Sequence, residues 1–335
     1  MIPASLHIVF DVGGTLLRGA LWNSETGTIS ELRVVEAPSH HRYPDLSWPE
    51  LTGRLVAEMS TLRGEIDPAR RAESVAVAFP GPLDRQQRVL AAPTLWGALG
   101  QYPFALDRTL RDAWPGTAVR VLNDVSAAGY RYLHDDEETF CVVTVSTGIG
   151  NKVFVGGRPL VGPSARGGEI GHIAIDTSPL APVCDCGGRG HVGAFASGRG
   201  MVQRAREEAE RSPEAFRRSL LVTELGLESG TLTAEALASA YGASDAWASE
   251  RVSRGVTALA SVLASVHLAI GVERFVFIGG FAIGLGARFT EAVGSAVDGR
   301  CWRGTTGTVS VMLGERDGRC ALIGAGRAAH LGLLV

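Results

Sequence analysis

Short apolar runs separated by glycine and asparagine open the chain. Residues 6–11 and 16–22 flank Gly13, Gly14 and Thr15, and a turn around residues 23–27 leads into residues 28–35. Runs of this length between turn residues predict three strands joined by tight turns. Leu51, Leu55, Val56, Met59 and Leu62 then recur at helical spacing, and residues 74–79 form a buried-strand run that stops at Pro80, Gly81 and Pro82. Residues 118–122 read as another strand, ending at Asn123 and Asp124 before a helical stretch over 127–132.

The second half repeats this pattern. An apolar run over 140–145 breaks at Ser146, Thr147, Gly148, Ile149 and Gly150, and a strand over 153–155 meets the turn Gly156-Gly157. A long apolar helix follows over about 249–270, then a strand over 274–278 ending in Gly279 and Gly280, and a last helix over 320–333 that is expected to return to the first lobe. Residues 204–246 are charged, alanine-rich and helical, and read as peripheral. The expectation is an α/β chain of two related lobes with a cleft between them, divided as 1–122 plus 318–335 and 123–317, with a hinge near Asn123 and Asp124.

Composition narrows the function. With 335 residues and 45% hydrophobic content the chain exceeds one ordinary core. A formal net charge of -3 gives no general field for nucleic acid. Gly, Pro or charge is expected to break every apolar run before the roughly 20 residues that span a bilayer, and no secretory segment is visible at the N-terminus. The expectation is a cytoplasmic protein with no nucleic-acid or membrane partner. Apart from Lys152, every basic residue among the 32 is arginine. Five cysteines, two of them separated by a single residue, fit a metal site better than a disulfide framework.

Asp11, Gly13, Gly14 and Thr15 form the first chemical constellation. Glycines let a turn approach phosphate oxygens, the threonine hydroxyl and backbone N–H groups donate, and Asp11 suits a hydrated Mg²⁺. An ordinary hairpin turn explains the same residues. Thr147 and Gly148 repeat the device in the second half, and Gly279 and Gly280 lie where a strand meets a helix, a common seat for nucleotides and also a plain connection. Asp124, at a strand end, suits a general base that takes a hydroxyl proton, with Asn123 bonding a neighbouring hydroxyl; a helix cap is the competing reading. The strongest signal is His172 with Cys184, Cys186 and His191, a compact nitrogen and sulfur set that suits a closed structural Zn²⁺ site.

Taken in order, these motifs resemble the ROK group of bacterial sugar kinases, repressors and open-reading-frame products within the actin-like ATPase superfamily. The resemblance also covers Pro80–Asp84, residues 92–96, Gly168–His172 and Ser197-Gly198, and runs nearly end to end. It implies two actin-like, ribonuclease H-like lobes closing on ATP with Mg²⁺, and a homodimer or higher homo-oligomer. It also implies Asp124 as base and an acceptor held by Gly81, Asn123, Glu169 and His172, with His172 shared with zinc.

The chain departs from that family at four places. His191 stands where a third zinc cysteine is usual, Gly193 where a glutamate contacts the sugar, Thr94 where asparagine is common, and Asn151-Lys152 where a Gly-Gly pair follows the second phosphate turn. Losing the glutamate removes a charge-assisted hydrogen bond of roughly 1.5–3 kcal/mol. The expected acceptor is therefore a primary hydroxyl on something other than plain glucose: an aminosugar such as kanosamine, or a C7 cyclitol of the valiolone type. An ordinary glucokinase or N-acylhexosamine kinase and a non-catalytic sugar sensor are the alternatives. A repressor is disfavoured, because the first phosphate turn begins at Asp11 and leaves no room before it for a DNA-binding domain. Lys152 reads either as a nucleotide contact or, preferred, as a solvated hairpin lysine.

Overall fold

In the computed structural model, which describes residues 5–162, 167–302 and 308–333, the chain divides into two compact units. The first comprises Met1–Glu138, Gly156–Gly167 and Asp317–Val335, the second Thr139–Val155 and Gly168–Arg316. The division falls after Glu138 and not at residue 122, so Asn123 and Asp124 belong wholly to the first unit.

That unit opens with β1 (Leu6–Val12), β2 (Leu16–Asn23) and β3 (Thr28–Glu36). Then come α1 (Trp48–Ile66), β4 (Ser74–Phe79), α2 (Pro93–Trp96), α3 (Leu106–Ala113), β5 (Ala118–Asn123) and α4 (Asp124–Arg131). Its strands lie in the order β3-β2-β1-β4-β5. β1 and β2 pair antiparallel across the Gly13-Gly14 turn, whereas β4 and β5 run parallel to β1. All six residues of β4 are buried, as a central strand covered on both faces requires. α1 begins where the Glu50 carboxylate accepts the Ser47 backbone N–H at 2.8 Å, half of a capping box.

β6 (Phe140–Val145) and β7 (Ile149–Val155) come next, followed by a two-residue β8 (Arg158–Pro159). The helices of the second unit are α5 (Val192–Ala196), α6 (Gly198–Arg211), α7 (Pro213–Arg217), α8 (Leu220–Thr223), α9 (Ala234–Gly242), α10 (Ala246–Ile270), α11 (Gly280–Leu285) and α12 (Ala287–Asp298). With β9 (Arg274–Ile278) and β10 (Ser310–Leu313), its strands run in the order β10-β9-β6-β7. The last helix, α13 (Cys320–His330), belongs to the first unit, as expected. It packs there through glycine: a Cβ at Gly324 would stand 1.8 Å from the Ala127 carbonyl oxygen, and one at Gly326 would stand 2.3 Å from the Trp22 ring. Arg131 and Asp317 form a two-pronged pair at 2.8 Å beside that contact.

Two expectations are corrected by the second unit. α10 is apolar and long enough to cross a membrane by composition, contrary to the reading that every such run is interrupted. Its Val252, Leu259 and Leu263 instead join Phe275, Phe277 and Phe289 in the core, which explains the composition. Residues 204–246 are not peripheral. Leu221, Leu232, Leu237 and Tyr241 are buried in that core, and the Asp245 carboxylate accepts from both Leu220 and Ala248 backbone N–H groups, fixing two helix starts.

Candidate active site

In the first unit, Asp11 lies near the end of β1, paired across the hairpin with Arg18, and the turn between β1 and β2 carries Gly13, Gly14 and Thr15. The Gly13 N–H bonds the Leu16 carbonyl at 2.9 Å, and a Cβ on Gly14 would stand 2.5 Å from the Thr94 carbonyl oxygen. The turn is therefore pinned against α2, which carries Thr94, and only glycine fits at position 14. Asp11 receives Arg18 at 2.9 Å. Burial nevertheless raises its carboxyl above the usual range, with Arg18 opposing.

Asp124 opens α4 directly after β5. Asn123 is the cap, its side-chain oxygen accepting the Ser126 N–H at 3.0 Å. Its amide donates to the Gly81 carbonyl at 3.0 Å and to Asp124 Oδ1 at 2.8 Å. Gly81 adopts φ 102°, and a Cβ there would lie 1.9 Å from the Ala91 carbonyl oxygen. A side chain is thus excluded on two grounds at Gly81, whose own carbonyl orients Asn123. The helix cap that competes with the base reading of Asp124 falls on Asn123 instead, while Asp124 Oδ1 accepts from the Asn123 amide and the Val125 N–H. Burial, opposed by the Val125 N–H and reinforced by the neighbouring charge of Asp11, pushes the Asp124 carboxyl up to about 6. A carboxylate poised near neutrality can accept a proton without losing driving force.

In the second unit, Ser146 and Thr147 face a cavity of about 610 Å³ together with Gly198, Arg199, Gln203, Arg206, Thr233, Glu235, Gly280 and Phe281. That volume suits a nucleotide-sized ligand. Of the four residues expected there, Thr147 and Gly280 line it, while Gly148 and Gly279 adjoin it in the chain. Gly279 has φ 95°, and a Cβ would stand 2.7 Å from the Val145 carbonyl oxygen, so this glycine lets β9 pass closely by β6. Arg206, Thr233 and Glu235 had no sequence signal, since they come from the segment read as peripheral.

His172, Cys184, Cys186 and His191 converge, with one ligand atom from each lying within 4.8 Å of the others. Cys186 Sγ is 3.2 Å from His191 Nδ1, and Cys184 Sγ is 3.8 Å from His172 Nδ1. Ligand bonds of 2.0–2.3 Å in a tetrahedron separate ligand atoms by roughly 3.3–3.8 Å, so the donor set fits Zn²⁺. On its other side the His172 ring presents Nε2 to Glu169 Oε2 at 4.0 Å. Gly193, one residue into α5, would direct a Cβ to within 3.1 Å of the Gly171 carbonyl oxygen and 3.8 Å of Cys184 Sγ.

Lys152 is not a solvated hairpin lysine. Both it and Asn151 are buried within β7.

Comparison with known proteins agrees with this layout. The model of the ROK family matches residues 7–330. A C(7)-cyclitol 7-kinase of Streptomyces hygroscopicus subsp. jinggangensis is 39% identical, covering 99% of this chain and 96% of that protein. A 2-epi-5-epi-valiolone 7-kinase of an Actinoplanes species is 31% identical over 85% of this chain and 80% of its own length. Among solved structures, the ROK hexokinase from Thermus thermophilus superimposes with a TM-score of 0.72 at 26% identity, covering 98% of this chain and 99% of the other.

Proposed function

The chain belongs to the ROK family and is a kinase for an alcohol group of a sugar-like polyol, and from that premise we propose that its acceptor is a C7 cyclitol of the valiolone type, phosphorylated by ATP on a primary hydroxyl. The observation that carries this is Gly193. A side chain there would grow from beside the Gly171 carbonyl, on the turn that holds Glu169 and His172. In this chain no carboxylate reaches a ring hydroxyl from that position, which disfavours glucose. A cyclitol has no hemiacetal centre for such a group to read.

In this reading, Asp124 accepts the proton of the attacking hydroxyl and Asn123 bonds its neighbour. Glu169 and the Nε2 side of His172 hold further acceptor hydroxyls. Nucleotide occupies the cavity bounded by Thr147, Arg206, Thr233 and Gly280. Asp11, Gly13, Gly14 and Thr15 serve the phosphates, and Mg²⁺, held through water at Asp11, would offset their charge. Zn²⁺, held by His172, Cys184, Cys186 and His191, would close the 172–191 loop, fixing the His172 ring by its Nδ1 side. A dimer or larger assembly is part of the same proposal.

The test is Gly193→Glu. Restoring a charge-assisted hydrogen bond is expected to raise kcat/KM for glucose, relative to that for the cyclitol, by about 10- to 100-fold. An unchanged ratio in a folded variant would remove Gly193 as the selectivity determinant.

A further inference from the structure

β7 does more than follow the phosphate turn. It begins immediately after Ser146, Thr147 and Gly148, and the segment from Gly168 to His172 lies along it. Two glycines make that close approach possible. A Cβ at Gly171 would stand 2.7 Å from the Ile149 carbonyl oxygen; one at Gly168, where φ is 83°, would stand 2.7 Å from the Asn151 carbonyl oxygen and 2.8 Å from Lys152 Nζ. Between those contacts the Asn151 side-chain oxygen accepts the buried Ile170 N–H at 3.1 Å. Asn151 is 3% exposed, and its amide nitrogen lies 3.9 Å from Cys141 Sγ on β6. The bond to Ile170 thus comes from a side chain with little freedom to move, on a strand residue paired with Val143 of β6.

We propose that Asn151 is a positioning residue for the acceptor, acting through Ile170 to set the height and tilt of the turn that presents Glu169 and His172. The proposal rests on the reading of Glu169 and His172 as acceptor contacts. A glycine at 151 has no side chain to supply this bond. Lys152 completes the seat, its amino end lying under Gly168, where no side chain can intrude. One rigid strand thereby carries the phosphate turn at its start and the acceptor turn on its flank, so the two halves of the reaction share a frame.

The test compares wild type with Asn151→Ala and Asn151→Asp, using whichever of the valiolone-type cyclitol, kanosamine and glucose wild type phosphorylates. Alanine orphans the Ile170 N–H; aspartate keeps an oxygen to accept it. Asn151→Ala is expected to raise the acceptor KM about tenfold while the ATP KM stays within about twofold. Hydrogen exchange in the peptide spanning 168–172 should speed up by a similar factor. Asn151→Asp should recover most of both effects, which a merely structural loss of packing would not do. An alanine variant with wild-type exchange and wild-type acceptor KM overturns the proposal. So does a parallel rise in the ATP KM, which would assign Asn151 to the phosphate turn. Faster exchange with an unmoved acceptor KM overturns it through its premise, that Glu169 and His172 touch the acceptor.

Discussion

Asp124→Asn is expected to lower kcat by about 10²- to 10⁴-fold while the protein stays folded, because removing a positioned general base costs a factor of that size. The substitution is nearly isosteric, and an amide oxygen at 124 can still accept from the Asn123 amide and the Val125 N–H, which hold Asp124 Oδ1 at 2.8 and 2.9 Å. Two pH signatures accompany the loss. In wild type, kcat/KM should fall about tenfold per unit as pH drops below about 6, where the carboxylate takes up its proton. The stability effect has the opposite sense. The folded carboxyl is raised to about 6 from 3.8, so its contribution to stability is fully present below pH 3.8 and is lost as pH rises through 6. Asp124→Asn should therefore melt above wild type at pH 8 and with it at pH 4. Thermal denaturation at the two pH values reads this directly; a variant that melts lower at pH 8 would mean the carboxylate stabilises the fold.

The second large effect concerns the metal loop. The shortest backbone bonds within residues 172–191 are Cys184 N–H to Gly188 at 2.7 Å and, at 2.8 Å each, Gly187 N–H to Cys184, Gly190 N–H to Pro182 and Ile175 N–H to Gly190. A loop this irregular gains most of its order from a metal when it has one, since structural zinc contributes its binding free energy to folding. Purified protein is expected to carry about one zinc per chain, and Cys184→Ser to lose it. Hydrogen exchange over 172–191 should then accelerate. The acceptor KM should rise about 10- to 100-fold, because the His172 ring is no longer fixed. ATP affinity should change by a few-fold only, transmitted through the ion pair of Arg199 with Asp185, which joins the loop to a residue lining the cavity at Thr147 and Gly280. Metal analysis and titration with both substrates check this. A zinc-free wild type that binds acceptor normally would refute the metal reading.

Much of this site was legible in the sequence because each element ends in residues with few conformational alternatives. The hairpin at Gly13-Gly14 emerged where expected, since apolar runs bracket residues that tolerate close backbone approach. Asn123 and Asp124 stood at a strand end by pattern, and His172, Cys184, Cys186 and His191 stood out by their spacing. What stayed hidden had no local signature. Arg206, Thr233 and Glu235 line the cavity from a charged, alanine-rich stretch whose buried residues are spread over several short helices. Burial of Lys152 was hidden for another reason: four consecutive residues of β7, Asn151 to Phe154, are all buried, so no alternation marks an inward face. The boundary between units was misjudged because it falls after Glu138, beyond the helix that Asp124 begins, and no proline- or glycine-rich linker announces it.

The acceptor's identity decides the proposed function. One reaction containing the intact protein, ATP, Mg²⁺ and equimolar glucose, kanosamine and valiolone-type cyclitol, with products identified by mass spectrometry and ³¹P NMR, tests it most directly. The cyclitol should be consumed first, with phosphate on its primary exocyclic hydroxyl. Preferential formation of glucose phosphate would contradict it.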